Sequence, residues 1–102
     1  MAKIVALYKK PADVKAFDAY YFSTHVPIAK KAPGLRSYEV SSGPVASAQG
    51  DSPYRLVALL EFDSLAAIQA ALGAPEGQAI AADLANFAQA GVDLLMFDTK
   101  PV

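Results

Sequence analysis

The segment YRLVALLEFD, residues 54 to 63, limits the fold more than any other part of the chain. Side chains of a strand alternate between its two faces. That alternation places Leu56, Ala58, Leu60 and Phe62 on one side and Val57 and Leu59 on the other. KIVALYK, residues 3 to 9, likewise sets Val5 and Leu7 against Ile4, Ala6 and Tyr8. GVDLLMFDT, residues 91 to 99, sets Leu94 and Met96 against Leu95 and Phe97. A sheet with one wet face alternates apolar and polar residues, and these strands do not. Both faces of their sheet must be covered.

The remaining segments supply one cover only. Pro11 and Asp13 open a helix in which Val14, Phe17, Tyr21 and Ile28 recur at spacings that share one helical face. Pro33 and Gly34 in APGL, residues 32 to 35, stop it. LRSYEVSS, 35 to 42, reads as a strand, and GPVASAQGDSP, 43 to 53, as a polar and mobile loop. After the strand at 54 to 63, Ser64 caps a short helix with Leu65, Ile68 and Leu72 on one face, ending at Gly73. Pro75 begins another helix, as a proline suits a first turn, and its stripe is Ile80, Leu84 and Phe87.

The order is β-α-β-β-α-β with the second helix split in two, an α+β, ferredoxin-like arrangement. Such units give a four-stranded antiparallel sheet, and right-handed crossovers place the helices on one face. The other face is bare in a monomer, and the 43–53 loop has too few apolar residues to cover it. A homodimer through the open sheet face is the economical solution. Composition agrees with this: 54% of the 102 residues are hydrophobic and 19% charged, against about 45–50% and about 25% in ordinary globular chains. The length fits a single domain, residues 1 to 102.

Charge and cysteine narrow the function. The formal net charge is -1 and like charges never run beyond the pairs Lys9-Lys10 and Lys30-Lys31, so no footprint for nucleic acid or anionic lipid exists. Cysteine is absent, which leaves no disulfide and no thiolate metal site. The apolar run in MAKIVALYKK is too short for a signal peptide or membrane span. The expected protein is cytoplasmic. Neither a glycine-rich phosphate loop nor a G-x-S-x-G elbow can be drawn. No metal site and no cofactor are expected.

The chemistry therefore converges on YYFSTHVPIAKKAPGL, residues 20 to 35, which holds the sole histidine, His25. Imidazole is the side chain whose ordinary pKa, about 6.5, lies near neutrality. Pro27 lacks an N–H to bond the carbonyl of Ser23, so the helix should loosen around residues 23 to 26 and re-aim the ring. His25 then reads either as a proton-transfer group in a pocket or as a residue that bonds the freed carbonyl. Asp18 and Glu61 are the candidate carboxylates for pairing with it. Tyr8, Tyr20, Tyr21, Tyr38 and Tyr54 offer phenol donors, with Tyr21 assigned to the core stripe. Asp83 and Asn86 read as solvent-facing or tethering groups, and Arg36 and Arg55 as rim charges.

The chain resembles the EthD family, named after a protein of ethyl tert-butyl ether degradation, in the dimeric α/β-barrel superfamily. The resemblance lies in ALYKKPADVKAFDAYYFSTHVPIAKKAPGL, EFDSLAAIQAALGAPEGQAIAADLANFA and GVDLLMFDTK. Phe17, Tyr20, His25, Pro27, Pro33 and Gly34 stand at the positions of its pattern. It implies two ferredoxin-like subunits joined through their sheets into a barrel. It further implies a small catabolic or accessory protein, since members are linked to ether-degradation operons and relatives include heme enzymes, cofactor-free monooxygenases, polyketide cyclases and lactone isomerases. The expected function is acid–base or oxidoreductase chemistry on a small hydrophobic or carbonyl compound in a cavity between the sheet and the first helix. His25 would be catalytic, and Tyr8, Tyr20, Phe17 and Tyr38 would bind the ligand. The alternatives are a non-catalytic protein that binds or delivers such a compound and a structural dimer with a filled barrel.

Overall fold

A computed structural model describes residues 1–102. The chain begins with β1 (Ala2–Lys9) and α1 (Val14–Tyr20), which passes through a π-helical turn (Tyr21–His25) into α2 (Val26–Ala29). It continues with β2 (Ser37–Val40), a hairpin of β3 (Ala46–Ser47) and β4 (Gly50–Asp51), and the long β5 (Tyr54–Phe62). The chain closes with α3 (Leu65–Gly73), α4 (Pro75–Phe87) and β6 (Val92–Asp98). The main sheet is antiparallel in the order β2-β5-β1-β6. This is the expected α+β ferredoxin-like arrangement, with β1 and β5 in the centre. The segment expected to be an unstructured loop contains the β3–β4 hairpin, with Ala46 opposite Asp51.

The register aligns Ile4, Leu60 and Met96, and then Ala6, Ala58 and Leu94, across the face that carries the helices. Ala2, Ile4, Ala6, Tyr8, Leu56, Ala58 and Phe62 are buried on that face. The opposite face presents Val5, Leu7, Val57 and Leu59, half-buried, with Leu95 and Phe97 beside them at 51% and 42% exposure. A Lys3–Glu61 ion pair of 3.2 Å sits at one end of it. The molecule is only 18 Å across its thin axis, about one helix layer on one sheet. No helix is long and apolar enough to cross a membrane.

The first helix follows its sequence signals at both ends. Asp13 Oδ1 accepts the N–H of Ala16 at 3.0 Å, an N-cap. Gly34, at φ +80°, turns the chain away after α2 in a conformation that glycine adopts without strain. Between them, the buried residues are Phe17, Tyr21, His25 and Ala29, one in every four. In a pure α-helix a four-residue spacing drifts about 40° per step. The π-turn rotates less per residue and cancels the drift, with Val26 N–H bonded five residues back to Tyr21 O. The expected stripe is therefore corrected: Val14 is exposed, Ile28 is only partly buried, and His25 and Ala29 take the inner face. In α3, capped by Ser64 Oγ on Ala67 N–H at 3.0 Å, Ala71 rather than Leu72 is buried beside Ile68.

α4 crosses α3 at Gly77. A Cβ added there would lie 2.0 Å from the carbonyl oxygen of Ala71 and 2.7 Å from Leu72 Cα. Both are backbone atoms, so no side chain can swing aside. Gly77→Ala is expected to destabilise the fold by about 2 kcal/mol through overpacking, measured as a lower midpoint in thermal or urea unfolding.

Candidate active site

The π-turn brings the one imidazole inward. His25 is 3% exposed, and its Nδ1 lies 2.8 Å from Oδ2 of Asp83 on α4. Asp83 is buried too, and its Oδ1 accepts the Tyr20 hydroxyl at 2.6 Å and the Asn86 amide at 3.0 Å. One carboxylate thus gathers donors from α1, the π-turn and its own helix. Burial pushes the Asp83 carboxyl up, but the bonds from Tyr20, Asn86 and His25 outweigh it and hold the group below the usual carboxylate range. The same contact raises the Tyr20 phenol, chiefly because its hydroxyl is bonded to Asp83.

An ionised Asp83 can only accept, so the 2.8 Å contact assigns the proton to His25 Nδ1. Nε2 of the neutral ring is then an acceptor. It makes no hydrogen bond within the chain, and no sealed side-chain polar atom goes unpaired, so Nε2 is not wholly closed off. The His25 ring also packs 4.6 Å from Phe87 and 5.4 Å from Tyr21, centroid to centroid.

Two expectations about partners change. The carboxylate of His25 is neither Asp18, which pairs with Arg55, nor Glu61, which pairs with Lys3. Arg36 is held by Asp63 through two bonds of 2.9 Å, so both arginines are already engaged. Asp83 is not a solvent-facing group, and Asn86 serves it. Its position was in the pattern: Asp83 lies three residues after Ile80 and four before Phe87, on the inner side of α4. A carboxylate at a core position signals a buried partner, and one histidine was available to be it.

The other expected site residues separate. Tyr8, at the end of β1, is 3% exposed, with its ring 5.4 Å from Tyr21 and 5.5 Å from Phe87. Phe17 is buried against the same rings. Tyr20 is occupied with Asp83, whereas Tyr38 on β2 shares a 2.5 Å hydrogen bond with Tyr21. Tyr21 thus belongs both to the core and to a polar pair. The space between sheet and first helix, expected as the cavity, is filled by Tyr8, Phe17, Tyr21 and Phe87. Open space lies at two ends of this aromatic layer. A cleft of about 560 Å³ between α1 and the end of α4 reaches Phe17, Tyr20, Asn86 and Phe87. A second, of about 380 Å³, lies beside the π-turn and includes Phe22, Val40 and Leu56.

The low Asp83 ionisation gives a signed expectation. A carboxyl held down in the folded state stabilises the fold above its unfolded pKa, about 3.9, and that contribution disappears as pH falls through the lower folded value. Asp83→Ala should cost about 3 kcal/mol near neutrality by stranding His25 and Tyr20. The gap to the wild-type protein should narrow below pH about 4, as read by unfolding curves across pH.

The model of the EthD domain matches residues 9–91. An uncharacterized 11.0 kDa protein of the thcB-thcC intergenic region of Rhodococcus erythropolis is 40% identical over 104 residues, spanning 100% of this chain and 98% of that protein. The crystal structure of an EthD family protein from Bacillus halodurans superposes with a TM-score of 0.89 at 36% identity, over 98% of this chain and 99% of that one. At the level of fold alone, a dimeric ferredoxin-like protein of unknown function from Thermobifida fusca gives a TM-score of 0.69 at 14% identity, over 96% and 90% of the two chains. With its model matched over most of the sequence and relatives aligned end to end, this chain belongs to the EthD domain family.

Proposed function

We propose that this small catabolic or accessory protein moves a proton on a hydrophobic carbonyl or aromatic compound, with His25 Nε2 as the base. The observation that carries this reading is the 2.8 Å contact of His25 Nδ1 with buried Asp83, which leaves Nε2 without a partner. Asp83 fixes the tautomer beforehand and stabilises the imidazolium that forms when Nε2 takes a proton. Tyr20 and Asn86 act through Asp83 as positioning residues. Tyr8, Phe17 and Tyr38 supply the aromatic and hydroxyl surface for the ligand. Proton transfer by a placed imidazole contributes about 100- to 10,000-fold, enough for an isomerisation or cyclisation.

A second reading, binding without chemistry, is favoured by the dense packing of Tyr8, Phe17, Tyr21 and Phe87 around the imidazole. The two readings part on a carbon acid. With β-tetralone in deuterium oxide, the wild-type protein should accelerate α-hydrogen exchange followed by NMR, and His25→Gln should lose about 100-fold of that rate. Exchange no faster than in buffer, or equal exchange by the variant, contradicts the base.

The bare sheet face supports a second copy as its cover. Leu95 and Phe97 stand exposed beside Val5, Leu7, Val57 and Leu59, and the Thermobifida fusca protein of the same fold is a dimer. Sedimentation at micromolar concentration should give twice 10.7 kDa, and Leu95→Asp should shift the protein towards the single chain. A mass near 10.7 kDa for the unaltered protein contradicts the dimer.

A further inference from the structure

The cleft of about 560 Å³ between the start of α1 and the end of α4 lies outside the His25–Asp83 contact. Its volume falls in the range of about 300–1,000 Å³ usual for small-molecule sites. Phe17, Tyr20 and Phe87 form its aromatic wall, with the rings of Tyr20 and Phe87 stacked at 5.4 Å.

The polar lining is one-sided. Asn86 gives an amide N–H to the Asp83 carboxylate at 3.0 Å, and Gln89 gives one to the Ala85 carbonyl at 3.3 Å. Both partners only accept, so the amide nitrogens face them and the amide oxygens are left without partners. The Tyr20 hydroxyl gives its proton to Asp83 at 2.6 Å and keeps an acceptor lone pair. Asp13 caps α1 with Oδ1, and its Oδ2 is unbonded. Each amide retains one N–H, but Asp13 is the one charged side chain of the lining. Lys9 runs beside Gly91 nearby and does not line the cleft.

The end of α4 has the same polarity. This helix is 13 residues long and has no basic residue in its last turn. The carbonyls of Asn86 and Phe87 accept no hydrogen bond within the chain. A helix C-terminus carries partial negative charge and favours a cation, and aromatic rings attract one as well.

We propose that this cleft binds a small apolar amine in its protonated form. The ammonium lies among Asp13, the amide oxygens of Asn86 and Gln89 and the end of α4, and the apolar body packs on Phe17, Tyr20 and Phe87. A carboxylate of the same size would meet Asp13 and no basic group, so the site discriminates by charge. The site does not depend on His25 acting as a base.

The probe is phenethylamine at neutral pH, with phenethyl alcohol and phenylacetate as its neutral and anionic counterparts, titrated by calorimetry. The wild-type protein should bind the amine and bind the alcohol roughly 10-fold more weakly, because hydrogen bonds to a charged group are the stronger. Phenylacetate should bind more weakly still. Asn caps a helix as well as Asp does, so Asp13→Asn should keep its thermal midpoint and its affinity for the alcohol. Its affinity for the amine should fall about 2- to 5-fold, as for an exposed charge pair. Ala16→Phe fills the cleft from α1 and should abolish amine binding. Ala19→Phe, exposed on the same helix but outside the lining, should bind as the wild type does. No amine binding by the wild type, equal or tighter binding of the alcohol or the carboxylate, or undiminished amine binding by Asp13→Asn or Ala16→Phe overturns the proposal. An equal loss in Ala19→Phe overturns it too. Should Ala16→Phe fail to fold, Asp13→Asn decides alone.

Discussion

The contact between His25 Nδ1 and Asp83 Oδ2 joins the two halves of the helical layer. His25 hangs from the π-turn, Asp83 from the middle of α4, and Tyr20 and Asn86 close around the carboxylate from either side. Without the imidazole, Asp83 would be a buried charge relying on a phenol and an amide. Without Asp83, an imidazole at 3% exposure would have no polar partner. Each group makes the other's burial tolerable, which is the condition under which ionisable side chains enter an interior at all. The imidazole packs against the rings of Tyr21 and Phe87, and the burial of both partners strengthens their interaction.

That contact depends in turn on a backbone irregularity with a clear chemical origin. Pro27 has no N–H, and its ring opposes a regular helix at Ser23. The chain relieves this with the wide turn at Tyr21–His25, where Ser23 Oγ also bonds back to Ala19 O at 2.5 Å. The consequence is geometric. Phe17, Tyr21, His25 and Ala29 fall in one line on the sheet, so the imidazole points at α4 instead of drifting towards solvent.

Much of this was readable in the residues. The strand alternation of Leu56, Ala58 and Phe62 against Val57 and Leu59 identified a sheet with two apolar faces, and Ser64 and Asp13 marked helix starts that the structure contains. The site was legible only in part. A proline two residues after a lone histidine indicated where the helix would loosen, but a 3.6-residue period assumed beyond that point selected Ile28 over Ala29, because a π-turn inserts a residue that no propensity announces. Asp83 reads as a wet residue because charged residues on helices usually are, although its spacing from Ile80 and Phe87 puts it on the inner face, where it is buried. Asp18 and Glu61 were plausible partners for His25 until pairing across the fold assigned them to Arg55 and Lys3. Such assignments come from tertiary distance, which spacing along the chain does not carry.

The proposed role of His25 requires that Asp83 hold it in one tautomer with Nε2 free to take a proton. Nitrogen-15 NMR of the imidazole in its neutral form measures this directly. A protonated, hydrogen-bonded Nδ1 and an unprotonated Nε2 are expected, with the preference lost in Asp83→Asn. A ring carrying its proton on Nε2, or averaging between the two nitrogens in the unaltered protein, would contradict it.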